Sequence, residues 1–172
     1  DGPRFTYGSG LWYNDNTYPQ ENGFGADTFA LYGHGAYADA LDEWFVKMCV
    51  TPKGAGRKYQ NRRAMPLHHL LETYRLTGRR DLWERHQEDF VRVEEEIIRD
   101  RHSTMEEVDG KRPLEWGILP PEKPGVDIQA ATQRVYVLGH SITNCQGLED
   151  LGRFLVMKVI DKARGEKYLK EA

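Results

Sequence analysis

The sequence predicts an all-α fold built from antiparallel helical hairpins, and two observations lead to this prediction. Apolar residues recur at helical spacing in several long segments, so each segment has a single apolar face. No stretch alternates with a period of two residues for long enough to form a central strand, and "RVYVLG" at residues 134–139 is the one competitor. Helices with one apolar face each must pack against one another, as in a bundle, a solenoid or a toroid.

The first helical segment runs through "ADTFALYGHGAYADALDEWFVKMCV", residues 26–50. Six residues at helical spacing form its predicted apolar face: Tyr37, Ala40, Leu41, Trp44, Phe45 and Met48. The opposite face is charged and comprises Asp39, Asp42, Glu43 and Lys47. Proline and glycines in "TPKGAGRKYQN" then interrupt the pattern. The segment is therefore predicted to be amphipathic and to be followed by a loop.

Two further helices follow this loop. The second helix is predicted to begin near Arg63 and to end at Gly78, with Pro66 tolerated in its first turn. Its apolar stripe consists of Leu67, Leu70, Leu71 and Tyr74. The third helix is predicted from Asp81 to Arg101, with Trp83, Phe90, Val93 and Ile97 on its inner face. Its remaining positions are mostly charged, which is typical of a solvated face.

In the last part of the chain, the spacing of apolar residues predicts two more helices, at residues 128–144 and 148–163. Leu148, Leu151, Leu155 and Val159 are in register in the second of them. Gly139 and Gly147 weaken this part of the pattern because glycine disfavours a helix interior. The residues predicted to be buried between helices are Trp44, Phe45, Leu70, Leu71, Phe90, Val93 and Leu151.

The composition indicates one globular domain that spans residues 1–172, with 39% hydrophobic and 30% charged residues and a net charge of -3. Such a balance gives no reason to expect a nucleic-acid partner, since those binders show a basic excess. No apolar run approaches the length of about 20 residues that spans a bilayer, so no membrane association is expected. The chain begins "DGPRFTYGSG" without a charged-then-apolar leader, and we expect a processed chain or a piece of a longer protein.

The cysteines and histidines show no metal-binding pattern. Cys49 and Cys145 lie in helical segments without CxxC spacing, and we expect free thiols, with a disulfide left as the alternative. His68 and His69 are adjacent and point in different directions on a helix, with Glu72 as the one carboxylate at a suitable spacing. No metal and no cofactor are therefore expected.

The stretch "LEWGILPPEKPGVDIQ", residues 114–129, is a stiff loop that carries an acid and an aromatic residue between two helices. One interpretation is that Glu115 and Trp116 form a wall of a ligand site, because an aromatic face stacks on a sugar ring and a carboxylate binds its hydroxyls. The alternative is that Trp116 closes the end of a hairpin and the prolines set a turn. The sequence leaves both open.

A second group of acidic and aromatic residues precedes the first helix: Trp12, Tyr13, Asp15, Glu21 and Asp27. Glycoside hydrolysis generally uses two carboxyl groups, one protonated and one ionised. For Asp15 and Glu21 we favour contact with a ligand, and for Asp27 we favour an N-cap of the helix that follows. Further along the chain, His140 with Tyr136 and Asn144 would suit a polysaccharide lyase, or His140 is an interior histidine with its hydrogen bonds satisfied.

The order of four segments resembles the six-hairpin α/α-toroid glycosidases: "LWYNDNTYPQENGFGADTFALYG", "MPLHHLLETYRLTGRRDLWERH", "GILPPEKPGVDI" and "GLEDLGRFL". In that superfamily, "TGD" after an inner helix and "GLLPPG…GDI" before the next are recurrent, and this chain has "TGR" at residues 77–79. The resemblance implies a carbohydrate-active, glycoside hydrolase-like protein. From the acidic and aromatic loops we expect catalytic roles for Asp15, Glu21 and Glu115, and substrate contacts for Trp12, Tyr13, Trp116, Asp127 and His140.

A complete toroid of this kind has twelve helices, about twice what this chain can supply. The resemblance therefore implies a portion of a larger α/α toroid. We expect the chain to form a homo-oligomer or to associate with the missing hairpins, because an open set of hairpins exposes apolar faces. The alternatives to a hydrolase are a polysaccharide lyase and a helical module that binds sugar or another chain without catalysis.

Overall fold

The computed structural model describes residues 19–54, 60–122, 134–158 and 160–172, with the side chains of residues 19–22, 61 and 62 excluded. Six helices and no strand occur in this part of the chain. They are α1 Pro19–Leu31, α2 Gly35–Cys49, α3 Gln60–Thr77, α4 Asp81–His102, α5 Leu138–Met157 and α6 Lys162–Glu171. The prediction of an all-α fold is confirmed.

Several helix boundaries differ from those that the sequence predicts. The segment at residues 26–50 is two helices, because the chain reverses through Gly33, which has a φ of 80° that favours glycine. Asp27 lies in the middle of α1, so the prediction that it caps a helix is wrong. In contrast, Gly78 follows the end of α3 with a φ of 70°, as expected for a helix C-terminus.

The later helices also differ from the prediction. The two helices predicted on either side of Gly147 are one continuous helix, α5, and a separate short helix, α6, follows it. Pro66 lies inside α3 and not in its first turn, because α3 begins earlier than predicted, at Gln60. The prediction for α4 agrees with the structure to within one residue at its end.

The odd-numbered helices run in the same direction. Three contacts between α3 and α5 advance along both helices together, which makes them parallel: Arg63 with Asn144, His68 with Asp150, and Tyr74 with Phe154. α2 is antiparallel to α3, because Asp42 contacts Thr73 and Phe45 contacts His69. α1 is antiparallel to α2, because Gly25 lies against Leu41 and Gly23 against Phe45. It follows that α1, α3 and α5 begin at the same end of the array.

The even-numbered helices form a second set. α2 and α4 are parallel, since Glu43 contacts His86 and the Val50 carbonyl accepts a hydrogen bond from Arg92. α4 and α6 are parallel as well, since Glu95 contacts Lys167 and Arg101 contacts Glu171. The described helices thus form three antiparallel hairpins in which each hairpin repeats the direction of the previous one.

The main core lies between these two sets of helices. Its fully buried side chains come from α2, α3, α4, α5 and α6 and include Val46, Leu67, Leu70, Leu71, Phe90, Val93, Ile97, Leu148, Leu151, Phe154, Leu155 and Tyr168. The residues predicted to be buried are buried, apart from Trp44, which is half-buried. A smaller cluster joins α1 to α2 through Ala26, Ala30, Ala38 and Leu41. The short side chains of this cluster let the two helices approach closely.

The buried face of α2 is rotated from the predicted one. Its buried residues are Ala38, Leu41, Asp42, Phe45, Val46 and Cys49, whereas Tyr37 and Ala40 are exposed. Asp42, which the sequence places on the charged face, is therefore 1% exposed. Its carboxylate accepts a hydrogen bond of 2.5 Å from the Thr73 hydroxyl of α3. Burial raises the pKa of Asp42 to about 8, although the bond from Thr73 lowers it.

Gly147 should be essential for the packing of α5 on α3. A Cβ atom there would lie 2.9 Å from the carbonyl oxygen of Ala64, a backbone atom that cannot move without shifting α3. We expect Gly147→Ala to lower the free energy of unfolding by about 1–3 kcal/mol, although alanine favours a helix over glycine by about 1 kcal/mol. Urea denaturation measures the difference. Gly139→Ala in the same helix is the control, because a Cβ atom there meets open space, and equal midpoints for the two variants would contradict this account.

Asp42 should make stability fall as pH rises. The unfolded carboxyl has a pKa near 3.8 and the folded one about 8. Between these values the folded state holds a proton that the unfolded state has released, so the contribution is full below about pH 4 and is lost as pH rises through about 8, by at most about 1.4 kcal/mol per pH unit. We expect Asp42→Asn to flatten this decline in urea unfolding measured from about pH 5 to pH 8. Asp109→Asn, at an exposed turn, should keep the wild-type slope, and an unchanged slope in Asp42→Asn would refute the assignment.

Candidate functional site

The loop between α4 and α5 is held by one hydrogen bond within itself and by hydrogen bonds to α3 and α5, at the end where these two helices begin. The Thr104 hydroxyl donates a hydrogen bond of 2.6 Å to the carbonyl of Ile118. The backbone N–H of Leu119 donates one of 3.1 Å to the hydroxyl of Ser141 in α5. The Gln60 side chain at the start of α3 donates one of 2.8 Å to the carbonyl of Pro120. These hydrogen bonds fix the path of residues 118–120 across this end of the array.

A carboxylate and a histidine meet where this loop reaches the two helix starts. Glu122 is 8% exposed, and one of its carboxylate oxygens is in hydrogen-bond contact with Nδ1 of His140. Its other oxygen accepts a bond of 3.3 Å from the backbone N–H of Gln60, the first residue of α3. Backbone hydrogen bonds of 3.0 and 2.9 Å with Val135 hold Glu122 on its other side. Because Nδ1 faces Glu122, Nε2 is the ring nitrogen on the opposite side.

Asn144 supports this pair one helical turn beyond His140. It is 1% exposed, and its amide donates hydrogen bonds of 2.9 Å to the carbonyl of Gln60 and 2.7 Å to the carbonyl of His140. Its oxygen accepts a bond of 3.3 Å from Arg63, whose guanidinium also bonds to Asp100 of α4 at 2.6 Å. These contacts join the starts of α3 and α5 to the end of α4. They therefore fix the position of the backbone that carries His140.

The carboxyl of Glu94 is buried near Arg63. Glu94 is 0% exposed, and neither of its carboxylate oxygens has a hydrogen-bond partner among the described residues. Burial raises the pKa of Glu94 well above its usual value, with a further rise from Glu95 and an opposing effect of Arg63. Nη2 of Arg63 is also buried without a partner in the described structure. Glu94 therefore keeps its proton to a higher pH than an exposed glutamate does.

Glu115 and Trp116 lie earlier in the same loop, and both are partly buried. The Arg112 guanidinium lies over the Trp116 ring at 4.8 Å from the centroid. The carbonyl of Glu115 accepts a backbone hydrogen bond from Ile118, which closes a turn that contains Gly117 at a φ of 71°. Both proposed roles, a ligand wall and a hairpin end, remain predictions for Trp116.

The other predicted site residues are not described. Trp12, Tyr13, Asp15 and Asp127 lie outside the described residues. Glu21 belongs to the first turn of α1, and its side chain lies outside the described part. Because α1 starts at the same end as α3 and α5, the segment before α1 joins the array at the end that carries Glu122 and His140. The shared pocket of Asp15, Glu21 and Glu115 stays a prediction.

Sequence reasoning missed Glu122, Gln60 and Arg63. Glu122 lies in the sequence "LPPEKPG", a few residues after Glu115 and Trp116, and its position between prolines is the one local feature that indicates it. The spacing of four residues between His140 and Asn144 predicts that both lie on one side of α5. The contacts of Gln60 and Arg63 span 62 and 81 residues along the chain, so no local pattern indicates them.

Two Asp–His pairs connect α3 with its neighbours α1 and α5. His69 is buried, and its Nδ1 is 2.8 Å from Oδ2 of Asp27 in α1. Nδ1 of His68 is 2.7 Å from Oδ2 of Asp150 in α5, and this hydrogen bond raises the pKa of His68. No group of three or more metal-ligating side chains occurs in the part of the chain that the structure describes. These pairs tie the three parallel helices together.

Comparisons with protein-family models, with curated proteins and with solved structures find no match to this chain. Within residues 19–54, 60–122, 134–158 and 160–172, no helix has the length and apolar character needed to cross a membrane. Cys49 is buried and Cys145 partly buried, and they do not form a disulfide. The function of this site is therefore inferred from its residues and their contacts.

Proposed function

We propose that this chain is a carbohydrate-active protein that supplies three hairpins of an α/α toroid, and that it binds sugar at the end where α1, α3 and α5 begin. The observation that supports the proposal is the common direction of these three helices, which puts their first residues, Pro19, Gln60 and Leu138, at one end. The carboxylates and aromatic residues proposed from the sequence lie before or in the first turn of α1 and in the segment before α5. A sugar needs carboxylates and amides for its hydroxyls and an aromatic face for its C–H side.

The first candidate reaction is glycoside hydrolysis. It requires one protonated and one ionised carboxyl on either side of the scissile bond. Glu115 lies in the loop before α5, Asp15 precedes α1 in the sequence, and Glu21 is in the first turn of α1. Two of these three carboxyls are the proposed catalytic pair. Trp12, Tyr13 and Trp116 are the proposed stacking surfaces, with Asp127 as a further contact.

The second candidate reaction is elimination from a uronate, and the Glu122–His140 pair favours it. A carboxylate that contacts Nδ1 fixes the orientation of the ring, which suits a base that acts through Nε2. Arg63 and Asn144 are buried in contacts with each other and with Asp100. Neutralisation of the substrate carboxylate would therefore have to come from another group, such as Arg134, which is exposed.

Incubation of the chain with mixed plant and bacterial glycans distinguishes these reactions. New reducing ends indicate hydrolysis, and absorbance from an unsaturated uronate indicates elimination. Under hydrolysis we expect Glu115→Gln or Glu21→Gln to reduce turnover by about 100-fold or more while folding is retained. Under elimination we expect the same loss from His140→Gln and a smaller one from Glu122→Gln.

Glu106→Gln is the matched control, because Glu106 is an exposed acid in the same loop between α4 and α5. It should keep full turnover. Binding without either product would leave a sugar-binding module as the function. If the chain neither binds nor turns over any of the glycans, the proposal is wrong.

We also propose that the chain self-associates or packs with further hairpins, because its outer helices expose large apolar side chains. Leu31 and Tyr32 at the end of α1 are 67% and 74% exposed. Such side chains at the edge of a helical array are typical of an interface. We expect light scattering of the isolated chain to show a dimer or larger species, and Leu31→Ser with Tyr32→Ser to weaken it. Leu114→Ser, at a 96% exposed loop position, should have no effect, and a monomer at high concentration would contradict the proposal.

A further inference from the structure

A cavity of about 400 Å³ lies beneath the loop between α4 and α5. The end of α4 and the first turns of α5 form its floor, and residues 117–119 form its roof. Protein interiors hold few voids larger than a water molecule, whereas this volume is within the range of small-molecule sites, about 300–1,000 Å³. The aliphatic side chains that line it are Ile97, Ile118, Leu119, Leu138, Ile142 and Leu148.

Hydrogen bonds hold the roof of the cavity in place. The carbonyl of Ile118 accepts from the Thr104 hydroxyl, and the N–H of Leu119 donates to the Ser141 hydroxyl. The carbonyl of Pro120 accepts from a side chain of α3. Because consecutive residues are fixed in this way, the loop does not collapse into the cavity unless these bonds break. The cavity is therefore part of the packing of the loop.

Four polar side chains also line the cavity, and two of them bond to the backbone around them. The Ser141 hydroxyl accepts from Leu119. The Asn144 amide donates to the carbonyls of Gln60 and His140. Neither side chain needs a partner from a ligand.

The other two polar side chains are satisfied near the end of α6. Arg101 donates to the carboxylate and the carbonyl of Glu171, and the Cys145 thiol donates to the carbonyl of Ala172. The one charged side chain in the wall is thus already paired. A charged or strongly polar group that enters the cavity would lose its hydrogen bonds to water without replacement, so the walls favour a neutral, apolar occupant.

The volume limits the size of this occupant. Benzene, with six carbon atoms, fits an engineered apolar cavity of about 150 Å³. By the same ratio, a cavity of about 400 Å³ holds an aliphatic molecule of up to about sixteen carbon atoms. Leu138 and Ile142 line the cavity and are more than half exposed, so they mark its mouth.

We propose that this cavity is a binding site for a small neutral molecule with an aliphatic body, which enters between Leu138 and Ile142. The proposal does not depend on the proposed sugar site. Asn144 lines the cavity and also bonds to the backbone of His140, so the occupant contacts a residue that positions the Glu122–His140 pair.

Calorimetric titration of the full chain with 1-butanol, 1-hexanol and 1-octanol tests the chemical class of the ligand. We expect the dissociation constant to fall by up to about fourfold for each added methylene, because each methylene leaves water for the cavity. Octanoate, the charged counterpart of octanol, should bind about tenfold more weakly or worse, because its carboxylate finds no unpaired cation in the wall.

Two further measurements test the location of the ligand. Ile142→Glu and Leu138→Glu place a charge at the mouth and should each weaken octanol binding by about tenfold or more. Both side chains are more than half exposed, so these substitutions spare the core. Met157→Glu is the matched control, because Met157 is a similarly exposed residue of α5 that does not line the cavity. Saturating octanol should also slow the alkylation of Cys145 by iodoacetamide, followed by mass spectrometry, since the thiol lies in the wall.

Several results would overturn the proposal. Equal dissociation constants for the three alcohols, or no binding of any of them, would show that no apolar cavity takes up the chain. Octanoate binding as tight as that of octanol would refute a neutral ligand and indicate that Arg101 leaves Glu171 to bind an anion. Octanol binding that is unchanged in both glutamate variants, or that leaves the alkylation of Cys145 unaffected, would refute the location.

Discussion

The close packing of α5 on α3 is the constraint on which the rest of the structure depends. Gly147 lies against Ala64 so closely that a Cβ atom has no room. This approach, together with the parallel direction of the two helices, places their first turns side by side. Asn144 can then donate to the carbonyl of Gln60 at 2.9 Å. The loop that returns from α4 must cross this end, and Glu122 meets His140 and the start of α3 there.

The fold buries the carboxyls of Glu94 and Asp42, and their burial lowers its stability. Glu94 has no hydrogen-bond partner among the described residues, and Asp42 has one for only one of its two oxygens. Burial raises the pKa of both carboxyls, so each resists ionisation while the chain is folded. Groups of this kind lower stability at neutral and alkaline pH. Asp42 of α2 contacts Thr73 of α3, and Glu94 of α4 lies near Arg63 of α3. Both buried carboxyls therefore belong to the packing around α3.

The sequence predicts the helices well and their contacts poorly. α4 is predicted almost to the residue because its apolar positions are separated by charged ones, and the break at Gly78 follows from its backbone freedom. Asp42 is missed because rotating a helix by one position, about 100°, exchanges buried and exposed residues. α5 is predicted as two helices because Gly147 resembles a break in sequence, whereas close packing against α3 requires a glycine there. The pairing of Glu122 with Gln60 joins residues 62 positions apart, which periodicity does not encode.

The parallel direction of α1, α3 and α5 also has an electrostatic consequence for the proposed site. Each helix start carries about half a positive elementary charge from its aligned peptide dipoles and unpaired N–H groups. Glu122 occupies one such position, since it accepts from the N–H of Gln60 at the start of α3. The even-numbered helices end at this same end, and each of their C-termini carries about half a negative elementary charge, so the dipoles of neighbouring antiparallel helices offset one another. The favourable effect is therefore local, where the first N–H group of α3 meets the Glu122 carboxylate at 3.3 Å.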